Sequence, residues 1–505
     1  MKGQFLTETD KKNLWFVIGA SSVGTLIEWY DFYLFGSLAT ILSEQFFPTT
    51  NPTVGFLSTL ATFAVGFVVR PFGALVFGRL GDKVGRKYTF LLTLILMGGS
   101  TFMIGLVPGY QVIGVAAPAI VLFLRIVQGL ALGGEYGGAA TYVAEHSPAG
   151  NRGYYTSFIQ TTATLGLFVS LGVILSVRQS VGVEVFSAWG WRIPFLLSAI
   201  LVGVSIYIRM KMDESPLFAK IKKEGKVSTN PILESFGKKE NLKMVLLALF
   251  GATMGQGVIW YTGQFYALTF IQKVCNIEFV QSYSIIAIAL VLGTPLFIVF
   301  GKISDAIGRK YIMLTGMLLG VLLYRPIYQQ MFNMSDVKTK TELSERLNIS
   351  RTTAPNSAVV TVVTQHTYSD ETIVTETVKE DADGKKSAPK KEVTLPNRLV
   401  AFMILLVLVQ VVFVTMVYGP IAAFLVELFP TRIRYTSMSL PYHLGNGVFG
   451  GLVPFIAVFL VEQSKTTEMP AGDPLAGLWY PISIAAICFV VGLIYLRNKA
   501  PLSVD

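Results

Sequence analysis

Apolar residues along the chain gather into twelve long runs, at approximately 14–42, 53–77, 88–107, 115–143, 154–177, 189–209, 243–271, 279–300, 311–331, 398–426, 437–461 and 477–496. A helix needs about 20 residues to cross a hydrocarbon layer about 30 Å thick, and each run meets that length. The pattern predicts an all-α membrane fold of twelve transmembrane helices. One segment interrupts it: residues 332–396 are polar over most of their length. Within them, 336–348 predicts a short helix. Stretches 359–364 and 372–378 alternate with period two on either side of 368–371, which predicts a β-hairpin. The lysine-rich stretch 381–391 reads as a flexible tether.

Composition narrows the class. Hydrophobic side chains make up 52% of the chain and charged ones only 14%, against about 25% charged in soluble domains. A secreted disulfide scaffold, a disordered protein and a soluble two-domain enzyme are excluded. The net charge of +10 would suit a nucleic-acid binder, but the basic residues flank apolar runs on alternate connections. The even connections hold Arg79, Lys83, Arg86 and Lys87, then Arg152, then many lysines between 209 and 243, then Lys302, Arg309, Lys310, Arg432 and Arg434. The short odd ones hold only Arg178, Lys273 and Lys465. Basic residues collect on the cytoplasmic side of membrane proteins, so both termini are expected there, with the lipid bilayer and not nucleic acid as the partner. Long loops translocate regardless of charge, which places 332–396 outside. Cys275 and Cys488 lie in or near different runs and are expected to be free thiols with no metal. The first run holds acids near its middle and lacks a small-residue cleavage site, so it reads as a retained span.

The chain repeats itself. Gly78-Arg-Leu-Gly-Asp82-Lys-Val-Gly85-Arg86-Lys87 follows the second run, and Gly301-Lys-Ile-Ser-Asp305-Ala-Ile-Gly308-Arg309-Lys310 follows the eighth. A second pair, Glu145-His-Ser-Pro148 with Arg152 and Glu427-Leu-Phe-Pro430 with Arg434, follows the fourth and tenth runs. Its two copies are further apart than the first pair's, by nearly the length of the polar segment. Six spans are therefore duplicated in parallel, with an insertion in the second copy. The expected division is a first bundle over 1–209, a cytoplasmic linker over 210–242, a second bundle over 243–331 and 397–505, and an extracytoplasmic insertion over 332–396.

These loops resemble those of the major facilitator superfamily. Five further segments are similar to its metabolite:proton symporter family, which includes dicarboxylate, shikimate and proline/betaine carriers. They are Glu28-Trp-Tyr-Asp31-Phe32, Arg70-Pro71-Phe-Gly73, Gly133-Gly-Glu135-Tyr-Gly137, Trp189-Gly-Trp191-Arg192-Ile-Pro194-Phe195 and Asp213-Glu214-Ser215-Pro216. The resemblance spans nearly the whole chain except the insertion. It implies a monomeric carrier in the bacterial inner membrane that imports a small metabolite with protons by alternating access, and a loop at 78–87 that latches one half against the other.

Ionisable residues inside the spans are the strongest functional pointers, since each costs roughly 2.5–3.5 kcal/mol at a helix centre. Glu28 and Asp31 share one face of the first span. Two carboxylates this close raise one another's pKa, and burial raises it further, which suits proton coupling; the alternatives are a structural pairing with Arg70 or Arg125 and direct substrate contact. Arg125, near the midplane of the fourth span, keeps its charge. It can hold a substrate carboxylate by a bidentate pair or neutralise Glu28, Asp31 or Glu135. Arg70, nearer the cytoplasmic end and two turns before the 78–87 loop, reads first as structural and second as a substrate contact. Gln256, Trp260, Tyr261 and Gln264 in the seventh span, with Tyr442, His443 and Asn446 in the eleventh, offer an aromatic and amide wall for a small polar solute. Helix packing is the plainer reading of each aromatic, and His443 is either a proton carrier or a neutral hydrogen-bond partner.

Gating is expected of Gly78, Asp82, Gly85 and Arg86 and of Asp305, Gly308 and Arg309. The glycines permit a tight turn, and the aspartate can accept hydrogen bonds at a neighbouring helix N-terminus. Glu135, among close-packing glycines, is expected to support the gate. Neither a P-loop, nor a His/Cys cluster, nor a nucleophile with its base is present, so no enzyme, metal or cofactor is expected. The expected function is proton symport of a small organic anion or, second, a zwitterion. A proton-independent uniporter or exporter, and a membrane sensor acting through the insertion, are the rivals.

Overall fold

The computed structural model describes residues 8–497 except 50, 85, 135, 211–230, 354–359, 381–385 and 430–433. Side chains at 78–90 and at some other helical positions lie outside the description as well. Twelve helical spans follow one another: α1 (Glu8–Ser37), α2 (Pro52–Phe77), α3 (Arg86–Leu106), α4 (Ala116–Gly133), α5 (Arg152–Val181), α6 (Val183–Gly190 and Arg192–Tyr207), α7 (Lys239–Lys273), α8 (Phe279–Ile307), α9 (Arg309–Ser335), α10 (Asn397–Leu428), α11 (Thr436–Gln463) and α12 (Ala476–Tyr495). Among the described residues nine of these are long and apolar enough to cross a membrane, and α6, bent by 62°, makes ten. Of the other two, α1 carries Glu28 and Asp31 in its C-terminal third and α3 has a shorter apolar stretch, Leu91–Leu106.

Local chemistry sets the boundaries. Asn51 caps α2 by accepting the Thr53 N–H, with Pro52 in the first turn where its missing N–H costs nothing. Gly308 opens α9 at φ 104°, a left-handed conformation that favours glycine. The expected first span, 14–42, is two pieces, since α1 ends at Ser37 and a separate helix runs from Ala39 to Phe46. The expected fourth span, 115–143, is likewise α4 followed by a helix from Tyr136 to His146.

The spans form two six-helix bundles. In the first, α1 packs on α5, α3 on α6, and α4 on α2 and α3. The α2–α4 crossing is close because glycines line it: a Cβ at Gly73, Gly129 or Gly133 would collide with backbone of the opposite helix. In the second, α7 packs on α11 and α12, and α9 on α10. Between bundles, α5 lies along α8, and α2 meets α11. Among the described residues four stretches are wound as π-helix: Phe186–Gly190 in α6, Leu249–Thr253 and Tyr261–Tyr266 in α7, and His443–Gly450 in α11.

The insertion differs from its expected form. In place of a helix over 336–348 there is a loop with one 3-10 turn, Ser344–Arg346, leading into a strand. The hairpin is the centre of a four-stranded antiparallel sheet, β1 (Asn348–Thr353), β2 (Val360–Thr367), β3 (Ile373–Glu380) and β4 (Lys390–Thr394), in sequential order. The tether expected over 381–391 ends in β4. An isolated hairpin is marginal in water, and added strands stabilise it. Polar residues facing each other across β3 and β4, such as Glu376 and Lys391 at 2.7 Å, supply pairing that a hydrophobicity pattern does not register. Lys340 ties the entry loop to the hairpin turn through Asp370 (2.8 Å). Burial alone would push the Asp370 carboxyl up, but Lys340 and Thr372 hold it below the usual carboxylate range.

Candidate functional site

The helices bring the two arginines and two carboxylates into the first bundle's interior. Glu28, Asp31, Arg70 and Arg125 are all at most 1% exposed. Asp31 accepts a 2.5 Å hydrogen bond from the Ser198 hydroxyl of α6. Beside it, the Tyr30 hydroxyl donates to the Pro194 carbonyl, so α1 and α6 are joined at the carboxylates.

The two guanidinium groups are bound differently. Arg125 donates from Nη1 to the Phe32 carbonyl (3.3 Å) and to Gln128 Oε1 (2.6 Å), and from Nη2 to the Phe63 carbonyl (3.2 Å). Its hydrogen bonds thus join α1, α2 and α4 through two carbonyls and an amide, not through the carboxylates considered from sequence. Arg70 makes its close contacts with ring faces: its guanidinium carbon lies 4.4 Å from the Phe32 centroid, 4.2 Å from Phe67 and 5.1 Å from Trp29. Its Nε and Nη2 have no hydrogen-bond partner among the described residues. These two atoms form one edge of the guanidinium, the edge that grips a carboxylate side-on. Arg309 shows the same edge in use, with Nε and Nη2 on the two oxygens of Glu427 at 3.3 and 3.0 Å.

Arg70 also stands where the bundles meet. A Cβ on Gly447 of α11 would touch the Arg70 side chain, and the tyrosines Tyr33, Tyr261, Tyr418 and Tyr442 are within its electrostatic reach. Aromatic rings span the same boundary. Trp29 stacks on Tyr33, which stacks in turn on Trp260 of α7 (centroids 5.1 and 5.5 Å). Phe67 meets Tyr261 edge-on, and Tyr136 stacks on Tyr442. The amides form cross-links: Gln256 donates to Asn446 (3.1 Å) within the second bundle, and Thr164 donates to Gln264 (3.0 Å) between bundles. His443 is buried edge-on against Tyr442.

Among the described residues, contacts close the inter-bundle boundary at both ends. At the end bearing 301–310, Asp305 Oδ1 and Oδ2 accept the backbone N–H groups of Gly153 and Tyr154, the start of α5 (2.9 and 2.8 Å). Arg309 holds Asp305 at 2.6 Å while gripping Glu427. At the end bearing the sheet, the Tyr283 hydroxyl donates to the Ser37 carbonyl, Arg178 faces Glu278 (3.8 Å) and Lys273 lies over the Phe56 ring (4.4 Å).

Glu28, Asp31 and Arg125 lie inside the first bundle, and the other candidates fall into three groups. Arg70, Trp260, Tyr261, Gln264, Tyr442 and His443 come together at the boundary, with Gln256 and Asn446 behind them. Asp305, Gly308 and Arg309 form the closed end. Gly85 and Glu135, and the side chains of Asp82 and Arg86, lie outside the described residues, while the backbone at Gly78 is helical, in Arg70–Val84, where the sequence predicts a tight turn. Sequence reasoning gave no role to Trp29, Tyr33, Tyr136, Thr164 and Ser198. A signal existed for the first two: Trp29 and Tyr33 are spaced i, i+4 beside Glu28 and Asp31, so they share a face that apolar periodicity alone does not distinguish from core.

Residues 16–341 match the family described as "Sugar (and other) transporter". The inner membrane metabolite transport protein YhjE of Escherichia coli (strain K12) is 31% identical, over 88% of this chain and 87% of its own. The proline/betaine transporter of Salmonella typhimurium (strain LT2) is 28% identical, over 97% of this chain and 84% of its own. Among solved structures, the proton:xylose symporter XylE bound to 6-bromo-6-deoxy-D-glucose superposes with a TM-score of 0.68 at 16% identity, over 98% of each chain. With twelve spans in two bundles, this chain belongs to the sugar (and other) transporter family of the major facilitator superfamily and is a multi-pass membrane transporter of metabolites.

Proposed function

We propose that the protein imports a small carboxylate-bearing metabolite, an organic anion or a zwitterion, together with a proton, by alternating access and as a monomer with both termini in the cytoplasm. The observation that carries this reading is the Nε–Nη2 edge of Arg70, buried at the boundary between bundles with no hydrogen-bond partner among the described residues. A buried charge is costly unless it is paired, and a carboxylate is the group whose two oxygens match that edge. Trp29, Tyr33 and Trp260 supply flat surfaces for the solute's body, and Gln264 and Tyr442 polar contacts from the second bundle. Arg125 orders the first bundle around this point and stabilises the bound anion at longer range. Glu28 and Asp31 take the proton, with Ser198 orienting Asp31. The proline/betaine transporter among the relatives and the proton:xylose symporter among the solved structures support the substrate and coupling halves of the reading respectively.

The test is uptake into proteoliposomes under an imposed inward proton gradient, with labelled dicarboxylates, shikimate, proline and betaine, with and without a protonophore. Accumulation of one carboxylate class that collapses with the protonophore is expected. Equilibration that ignores the gradient would replace the symporter with a uniporter.

The closed end supports a latch. Asp305 accepts two N–H groups at the positive end of α5, across the bundle boundary, and such charge-assisted bonds are worth about 1.5–3 kcal/mol each. Asp305→Asn keeps one acceptor and loses the charge, so the equilibrium should shift by roughly tenfold or more toward opening at this end. The check is the labelling rate of a cysteine placed at Ser157, which is buried beside Gly301. An unchanged rate would remove the latch role.

A further inference from the structure

We propose that the inserted sheet is a brace for the bundle boundary at its own end, acting by holding Glu278 in place for its pairing with Arg178. The sheet does not merely hang from α9 and α10. Its last strand pairs with the turn between α7 and α8: the Val393 N–H donates to the Asn276 carbonyl (2.8 Å), and the Glu278 N–H donates to the Val393 carbonyl (2.9 Å). Ile277 thereby pairs with Val393 as the start of a parallel fifth strand. Asn276 makes this possible by adopting φ 53°, a left-handed conformation that asparagine tolerates. One residue beyond β4, the Leu395 N–H and carbonyl close a ring with the Gln281 side chain at 2.9 and 2.8 Å. Val374 and Val393, side by side in the sheet, and Leu395 are buried against this turn.

The braced turn carries the contacts that cross to the first bundle. Glu278 caps α8 by accepting the Gln281 N–H (2.9 Å) and faces Arg178 at the end of α5. Arg178 also lies 4.3 Å over the Phe279 ring, and one turn on, Tyr283 reaches the Ser37 carbonyl. A five-residue turn, 274–278, would leave Glu278 free to swing. Backbone pairing to a sheet removes that freedom, so less order is lost each time the boundary closes. The sheet enters from α9 and leaves into α10, so it moves with the second bundle, and its effect is on how readily that bundle parts from the first.

The test uses the full-length protein in nanodiscs with Cys275→Ser and Cys488→Ala, and a single reporter, Ser37→Cys. Ser37 is 2% exposed, and a maleimide reaches it only when this end opens. Gln281→Leu breaks the ring to Leu395, and Val393→Pro removes the bond to Asn276; both leave the Arg178 and Glu278 side chains unsubstituted. Arg178→Gln breaks the pair with the sheet intact. Labelling should rise roughly threefold in each, the range of a partly exposed ion pair, and the double variant Gln281→Leu with Arg178→Gln should rise no further than either alone. Parental rates in Gln281→Leu and Val393→Pro would overturn the brace, as would a rise in the double variant equal to the product of the single ones. Monodispersity and thermal midpoint identify any variant that fails to fold, and Gln281→Leu, a side-chain change in the first turn of α8, remains if Val393→Pro does fail. Because labelling needs neither substrate nor proton gradient, this result stands apart from the proposed symport.

Discussion

Arg70→Lys should reduce substrate uptake by about 10- to 100-fold while the protein remains folded. Lysine keeps the positive charge but replaces a planar two-donor edge with a rotating ammonium, and the loss of one charge-assisted bond is worth about 1.5–3 kcal/mol. The defect should appear in the concentration dependence of exchange, where no gradient is needed, and should be greater for carboxylates than for any neutral solute that is carried. Arg125→Lys provides the contrast. Arg125 is bonded to the carbonyls of Phe32 and Phe63 and to Gln128, so its replacement should lower the thermal midpoint as well as transport. Normal exchange kinetics in Arg70→Lys would return this arginine to a purely structural role among its three aromatic neighbours.

Asp31→Asn should abolish gradient-driven accumulation and leave exchange largely intact. The amide accepts the Ser198 hydrogen bond that the carboxylate accepts now, so the α1–α6 contact survives, but it cannot take up and release a proton. With one proton per substrate, each pH unit of gradient supports a tenfold accumulation, about 1.4 kcal/mol, and all of it should disappear. Glu28→Gln separates the pair. If both variants stop accumulating while exchange continues, the two carboxylates act as one proton site; if only Asp31→Asn does, Glu28 tunes it. Accumulation that persists in Asp31→Asn would remove the proton role from this residue.

The fold was legible to the extent that it depends on period and length. Twelve apolar runs, the alternation of basic connections and the two copies of the glycine-aspartate loop are local properties, and a bilayer enforces them because backbone polar groups must be satisfied within each span. The insertion was only half legible. Its central hairpin shows alternation, but β1 is exposed along its whole length and β4 is rich in lysine. Neither has the apolar face by which strands are recognised, and they exist because neighbouring strands offer them hydrogen bonds. The same holds for residues 276–278, which pair with β4 although nothing in their composition suggests a strand.

For the site, the sequence alone determined which residues are anomalous: buried charges, loop aspartates and amides within apolar runs stand out because the membrane makes them expensive. It ranked the two arginines by depth alone. By position in its span Arg125, near the midplane, is the better substrate candidate and Arg70, nearer the cytoplasmic end, reads as structural; only their surroundings separate a guanidinium bonded to carbonyls from one whose side-on edge has no partner among the described residues. Likewise Trp29 and Tyr33 read as core until Trp260, more than two hundred positions away in the chain, stacks on them. Periodicity and charge are carried by neighbours in the chain and survive in a one-dimensional reading. Hydrogen-bond satisfaction and ring stacking are set by residues far apart in sequence, so only the packed helices decide them.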